Sequence, residues 1–80
     1  MTVEMALAKI LKRLRRERNI SQEQLAVKSS INRSYVSQIE RGLGNPTLSV
    51  MLRIAQALDI TFAELASLIE QAMQKRKQNY

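Results

Sequence analysis

Residues Gln22–Arg41, QEQLAVKSSINRSYVSQIER, decide how this chain folds. The stretch parses into two short amphipathic helices joined by a tight turn. Ser21 and Gln24 make an S-x-x-Q capping box at the start of the first, and Ile20 is placed to staple against Leu25. Leu25 and Ala26 point inward, Ala26 being small where two helices meet at a steep angle. Ser29, Ser30 and Ile31 form the turn, and Asn32 caps the second helix. Val36 and Ile39 face the core there, and Gly42 stands just past the helix end, where a glycine commonly closes a helix. The outer face is left with Arg33, Ser34, Ser37 and Gln38. A helix that buries one side and offers small and polar side chains on the other has the shape and chemistry to enter a DNA major groove.

The flanks are helical as well. Toward the N-terminus, Leu7, Ile10, Leu11 and Leu14 recur at the spacing of one buried stripe and predict a helix over residues 3–18, stopped at Asn19. Lys9, Lys12, Arg13 and Arg16 lie largely off that stripe. Toward the C-terminus, Leu43-Gly44-Asn45-Pro46 is a loop. Thr47 caps a fourth helix with Leu48, Met51, Leu52, Ala55 and Leu58 as its apolar stripe. Thr61 and Glu64 make a second capping box, opening a fifth helix that carries Phe62, Leu65, Leu68, Ile69, Ala72 and Met73. With one proline, two glycines and no strand-like alternation, the chain reads as all-α, five helices with short loops.

Composition narrows the function. Eighty residues make one domain near the lower limit for a self-sufficient core, so dimerisation is a natural supplement. The expected division is a domain over residues 1–74, including a C-terminal dimerisation helix, and a basic, fraying tail over 75–80. No cysteine is present, which excludes disulfides and thiolate metal sites and suits the reducing cytoplasm. No histidine is present either, removing the commonest general base and metal ligand. Without a glycine-rich phosphate loop in addition, the sequence offers no catalytic residue, no cofactor and no metal site, and an enzyme is not expected. No apolar run approaches the ~18 residues of a membrane span, and no signal peptide is visible. The formal charge is +6 and unevenly spread. Residues 1–41 hold nine basic and four acidic side chains, residues 42–74 one basic and three acidic, and Lys75-Arg76-Lys77 add three basic ones. A basic first half suits a polyanion, and a slightly acidic, apolar second half suits something else.

The runs Ser21–Ala26, Ser34–Gly42, Asn45–Leu48 and Ile54–Leu58 together make the chain resemble the lambda-repressor-like helix-turn-helix domains of phage repressors and Cro, over about residues 7–66. The resemblance implies a compact five-helix DNA-binding domain acting as a homodimer on a (pseudo)palindromic operator to regulate transcription. One departure stands out: the family usually places glycine in the turn where this chain has Ser30. A left-handed serine there costs about 1 kcal/mol. A narrower similarity links Asn32–Arg41 to the recognition helix of restriction–modification controller proteins. Those are all-helical homodimers that regulate their own gene and the endonuclease gene, so this similarity implies autoregulation. Plasmid and phage regulators share much of the same string.

DNA chemistry and the resemblance together suggest the site residues. Base-edge contacts choose sequence, and phosphate contacts fix register and supply affinity. Arg33, whose planar fork matches guanine O6 and N7, leads the base-reading set with Ser34, Ser37 and Gln38. Ser21 and Gln22 sit where the second helix of this family meets a phosphate. Tyr35 either reaches a phosphate through its hydroxyl or only packs. Arg41, Asn45 and Thr47 are expected on the backbone, with Ser49 a lesser candidate and Arg13 and Arg16 brushing flanking phosphates at most. Arg15 and Glu40 match an ion pair that, in several family members, bridges the first and third helices. The fourth and fifth helices hold more apolar surface than one packed face explains, with Val50 and Ile54 as an extra pair. A symmetric interface is therefore expected at Leu65, Leu68, Ile69, Ala72 and Met73, the alternative being that these close a small core. The partners implied are double-stranded DNA, a second copy and RNA polymerase, with no membrane and no small-molecule ligand. The reading from another class is an antitoxin-type module that binds a partner protein through its C-terminal half.

Overall fold

The computed structural model describes residues 1–74. Its five helices are α1 (Val3–Glu17), α2 (Gln22–Ser29), α3 (Arg33–Glu40), α4 (Leu48–Ala57) and α5 (Phe62–Gln74). Among the described residues there is no strand. The expectation for a basic tail at Lys75-Arg76-Lys77 lies outside them.

Helix starts follow the local chemistry. The Ser21 hydroxyl accepts from the Gln24 N–H, and the Gln24 carboxamide accepts from the Ser21 N–H. Asn32 accepts from the Ser34 N–H at 2.7 Å, and Thr47 from the Val50 N–H at 3.2 Å. Thr61 and Glu64 close the second reciprocal box. Thr2, not anticipated from the sequence, caps α1 through the Met5 N–H.

Helix ends share one device. Asn19, Ser30, Gly42 and Asp59 all take positive φ, between 56° and 77°. At each, the next residue's N–H reaches back to the last turn: Ile20 to Arg15, Ile31 to Ala26, Leu43 to Gln38, and Ile60 to Ala55. This is the double-bonded glycine-type stop, and an apolar residue after it usually packs on the last turn. Ile20, Ile31 and Ile60 do pack against the core. Leu43 does not, being 70% exposed.

The core is one cluster built by Leu7, Ile10, Leu11 and Leu14 of α1, Leu25 and Ala26 of α2, Val36 and Ile39 of α3, Val50, Ile54 and Ala55 of α4 with Leu58 at its cap, and Leu65 and Ile69 of α5. α1 packs on α3 and α5, and α2 on α3 and α4. Each buried leucine or isoleucine contributes about 1.5–3 kcal/mol of transfer free energy.

Two expectations are corrected here. The stripe assigned to α4 holds at Ala55 and Leu58 but not at its start: Leu48 and Leu52 are 62% and 43% exposed, whereas Val50 and Ile54 are buried. Both sets satisfy helical spacing because α4 is apolar around most of its circumference. The face is chosen by contact with α2 and α5, which the local pattern does not encode. In α5, Leu65 and Ile69 are buried inside the protomer and close its own core. They leave the expected interface for that reason, while Leu68, Ala72 and Met73 remain half-buried.

Candidate nucleic-acid interface

α3 separates its two sides sharply. Val36, Ile39 and Glu40 are buried, and Arg33, Ser34 and Gln38 are exposed with Ser37 half-buried beside them. The four polar residues fall at i, i+1, i+4 and i+5, one continuous face. No side chain among the described residues hydrogen-bonds or ion-pairs with the Arg33 guanidinium, so its fork is free for a ligand. Tyr35 is half-buried and packs against the core, which places its ring in the scaffold.

The buried side of α3 carries one charge, Glu40. Arg15 of α1 donates to Glu40 through Nε at 2.7 Å and Nη2 at 3.0 Å, a bidentate fork. The third nitrogen, Nη1, donates to the Ile20 carbonyl at 2.9 Å. Gln22, at the first position of α2, donates Nε2 to the same carboxylate at 3.1 Å. Burial works against the Glu40 charge, but the hydrogen bonds from Arg15 and Gln22 and the charges of Arg15 and Lys12 outweigh it. The carboxyl is held below the ordinary carboxylate range. The pair expected from the sequence is therefore present, and Gln22 is an added member of it. One carboxylate ties the start of α2, the end of α3 and the last turn of α1. No buried side-chain nitrogen or oxygen among the described residues lacks a partner.

That tie aims Gln22. One amide N–H is held by Glu40, and the second remains to donate outward. The backbone N–H groups of Gln22 and Glu23 precede the helical ladder, where the helix dipole favours an anion. Ser21 spends its lone pair on the capping box and keeps its own O–H to donate. Arg41, at the end of α3, is exposed and lays Nε toward the Ser37 carbonyl at 3.4 Å. Asn45 is exposed in the next loop, and the Thr47 hydroxyl accepts at the start of α4.

Gly44 sets where that loop runs. A Cβ there would lie 2.8 Å from Ile39 Cγ1 and 3.2 Å from its Cα, too close for any side chain. The loop thus presses onto the inner side of α3 and brings Asn45 and Thr47 up beside the helix end. Sequence reasoning passed over Gly44 as an ordinary loop glycine, because its constraint is steric and arises from a residue it meets only in the fold. The Gln22–Glu40 bond had no local signal either.

Ser21, Gln22, Arg33, Ser34, Gln38, Arg41, Asn45 and Thr47 thus belong to three adjoining elements: the start of α2, the outer face of α3, and the α3–α4 connection. Among the described residues no three His, Cys, Asp or Glu side chains converge as a metal site, and no helix is long and apolar enough to cross a membrane. Residues 11–65 match the family profile described as Helix-turn-helix. The chain belongs to the helix-turn-helix family. Its lambda-repressor-like fold is shared with solved relatives. This helix-turn-helix protein is 43% identical over 61 residues to the control protein C.MunI of a Mycoplasma species, covering 75% of this chain and 82% of that one. It superposes on the restriction–modification controller protein C.AhdI of Aeromonas hydrophila with a TM-score of 0.75 and 42% identity, covering 78% and 94% of the two chains. Against C.Esp1396I bound to a 19 base pair DNA duplex the TM-score is 0.82 at 26% identity, over 91% and 97%.

Proposed function

We infer that this protein is a sequence-specific, double-stranded-DNA-binding transcriptional regulator working as a homodimer on a (pseudo)palindromic operator. The observation that carries this is the outer face of α3, where Arg33 has no side-chain partner among the described residues while Glu40 on the opposite side is anchored to two other helices. In this arrangement α3 enters the major groove. Arg33 reads a guanine, Gln38 an adenine or a phosphate, and Ser34 and Ser37 close base edges. Ser21, Gln22, Arg41, Asn45 and Thr47 hold phosphates on either side, with the Tyr35 hydroxyl a further candidate. This division of labour involves no catalytic step, cofactor or metal.

The likeness to C.MunI, C.AhdI and C.Esp1396I supports a controller role; autoregulation and contact with RNA polymerase are proposed as parts of that role. Two recognition helices about 34 Å apart on one face of DNA call for a two-fold dimer. Leu68, Ala72 and Met73 on α5 are proposed for that interface, and the exposed flank Leu48–Leu52 on α4 competes with them. Leu68→Glu should yield folded monomers by sedimentation, whereas Leu52→Glu should leave the dimer intact. The reverse outcome moves the interface to α4. Ile69→Glu is not a clean probe, because it places a charge in the core.

The functional test is a gel-shift titration on the protein's own upstream DNA with random competitor at two salt concentrations. Tight, competitor-resistant binding is expected, and Arg33→Ala should cost about 1–3 kcal/mol on that site and little on random DNA. Equal losses on both would make Arg33 a backbone contact. Weak binding, equal on both DNAs, would favour the antitoxin-type reading.

A further inference from the structure

α1 turns a second, different surface to solvent. Along the length of α1, beside the end of α3, runs an open groove of about 740 Å³. Its apolar lining is Met1 and Met5, both exposed, with the buried Ala8. Gly42, at φ 77°, lines the same groove beside Met5. The rim is cationic, with Lys9, Lys12, Arg16 and Arg41. Two acidic groups reach it, and both are engaged: Glu17 lies 3.6 Å from Arg13, and Glu40 is held by Arg15.

We propose that this α1–α3 groove is a docking site for an acidic amphipathic helix of a partner protein. Charge complementarity and the apolar lining select that occupant. A phosphodiester strand gains affinity from cations and polar donors and nothing from an apolar trough. An acidic amphipathic helix uses both parts, laying its apolar stripe on the methionines and its carboxylates on the rim. Methionine side chains adapt to such guests because they are unbranched and polarisable. A volume within the ~300–1,000 Å³ of typical sites takes a few anchoring side chains, not a globular domain. The tail of this chain is basic, and of the acidic groups on α5, Glu64 is committed to its capping box.

The test is fluorescence anisotropy of a labelled Glu/Leu/Ala helix of about 16 residues, long enough to be helical, titrated with the full-length protein. The Leu residues sit at i, i+3, i+4 and i+7, and a scrambled peptide of equal composition is the control. The patterned peptide should bind at least about tenfold tighter than the scrambled one. Met5→Glu and Lys9→Glu, both at exposed positions, should each weaken it by about tenfold and leave operator binding within about twofold. Equal binding of the scrambled peptide would reduce the groove to a nonspecific cationic surface. Variants that weaken DNA binding while sparing the peptide would assign the groove to flanking DNA. Either result overturns the proposal.

Discussion

Removing Arg15 should unfold this domain far more readily than removing Arg15 and Glu40 together. In Arg15→Met, the Glu40 carboxylate stays almost fully buried and loses its two shortest hydrogen bonds, keeping only that from Gln22. An uncompensated buried charge costs about 3–5 kcal/mol, a large share of the ~5–15 kcal/mol that holds a small domain together. Glu40→Met strands the Arg15 fork, but the guanidinium keeps the Ile20 carbonyl and is partly solvated, so the loss should be smaller, about 1–3 kcal/mol. The double variant replaces the pair by two apolar side chains and should lie within about 1 kcal/mol of the wild type. The coupling energy from the four proteins should therefore be at least about 3 kcal/mol. Urea unfolding followed by circular dichroism at pH 7 measures it. DNA affinity provides a second readout: the double variant should be stable yet bind its site more weakly, because α3 has lost its tie to α1 and α2. Additive single effects, or a double variant no more stable than Arg15→Met, would refute the view that this network is an orientation device.

Other expectations follow from single features. Ser30→Gly should stabilise the protein by about 1 kcal/mol in the same urea assay, because Ser30 sits at φ 56° and ψ 44° and no hydrogen bond holds its side chain there. Gly44→Ala should destabilise by about 1–3 kcal/mol, since a Cβ would overlap Ile39; a neutral result would mean that the loop does not bear on α3. The folded pKa of Glu40 lies below its unfolded value. Its contribution is therefore complete above about pH 4.3 and is lost as pH falls through the lower, folded value. Glu64, held low by the Thr61 backbone N–H and hydroxyl, titrates in the same direction. Urea midpoints should fall through that acid window, less steeply in Glu40→Gln; a wild-type profile as shallow as the variant's would remove the carboxylate from the account.

How far the chain could be read before folding depended on the range of the interaction. Caps act within four residues, so Ser21, Asn32, Thr47 and Thr61 located four helix starts, and Asn19 and Gly42 two of the stops. The outer face of α3 was legible because its inner face is so clearly apolar at Val36 and Ile39. α4 was misread because Leu48, Val50, Met51, Leu52 and Ile54 satisfy two stripes at once, and only packing against α2 and α5 breaks the tie. For the same reason Leu65 and Ile69 looked like surplus apolar surface when they are core. The Arg15–Glu40 pair was reached through family resemblance, and the Gln22 bond to it joins residues that no periodicity links.

Among the described residues, the side chains of Arg33, Ser34 and Gln38 hydrogen-bond to no other side chain, and this has an evolutionary consequence. Glu40, Val36 and Ile39 hold the helix in place, and the outward positions add nothing to its retention. Substitutions there can accumulate in a lineage at little cost to folding, and under the proposed base-reading role each would change which operator is preferred. Duplicated copies of such a gene can therefore diverge into regulators that ignore one another's operators within a handful of mutations, while the Arg15–Glu40–Gln22 tie is inherited unchanged.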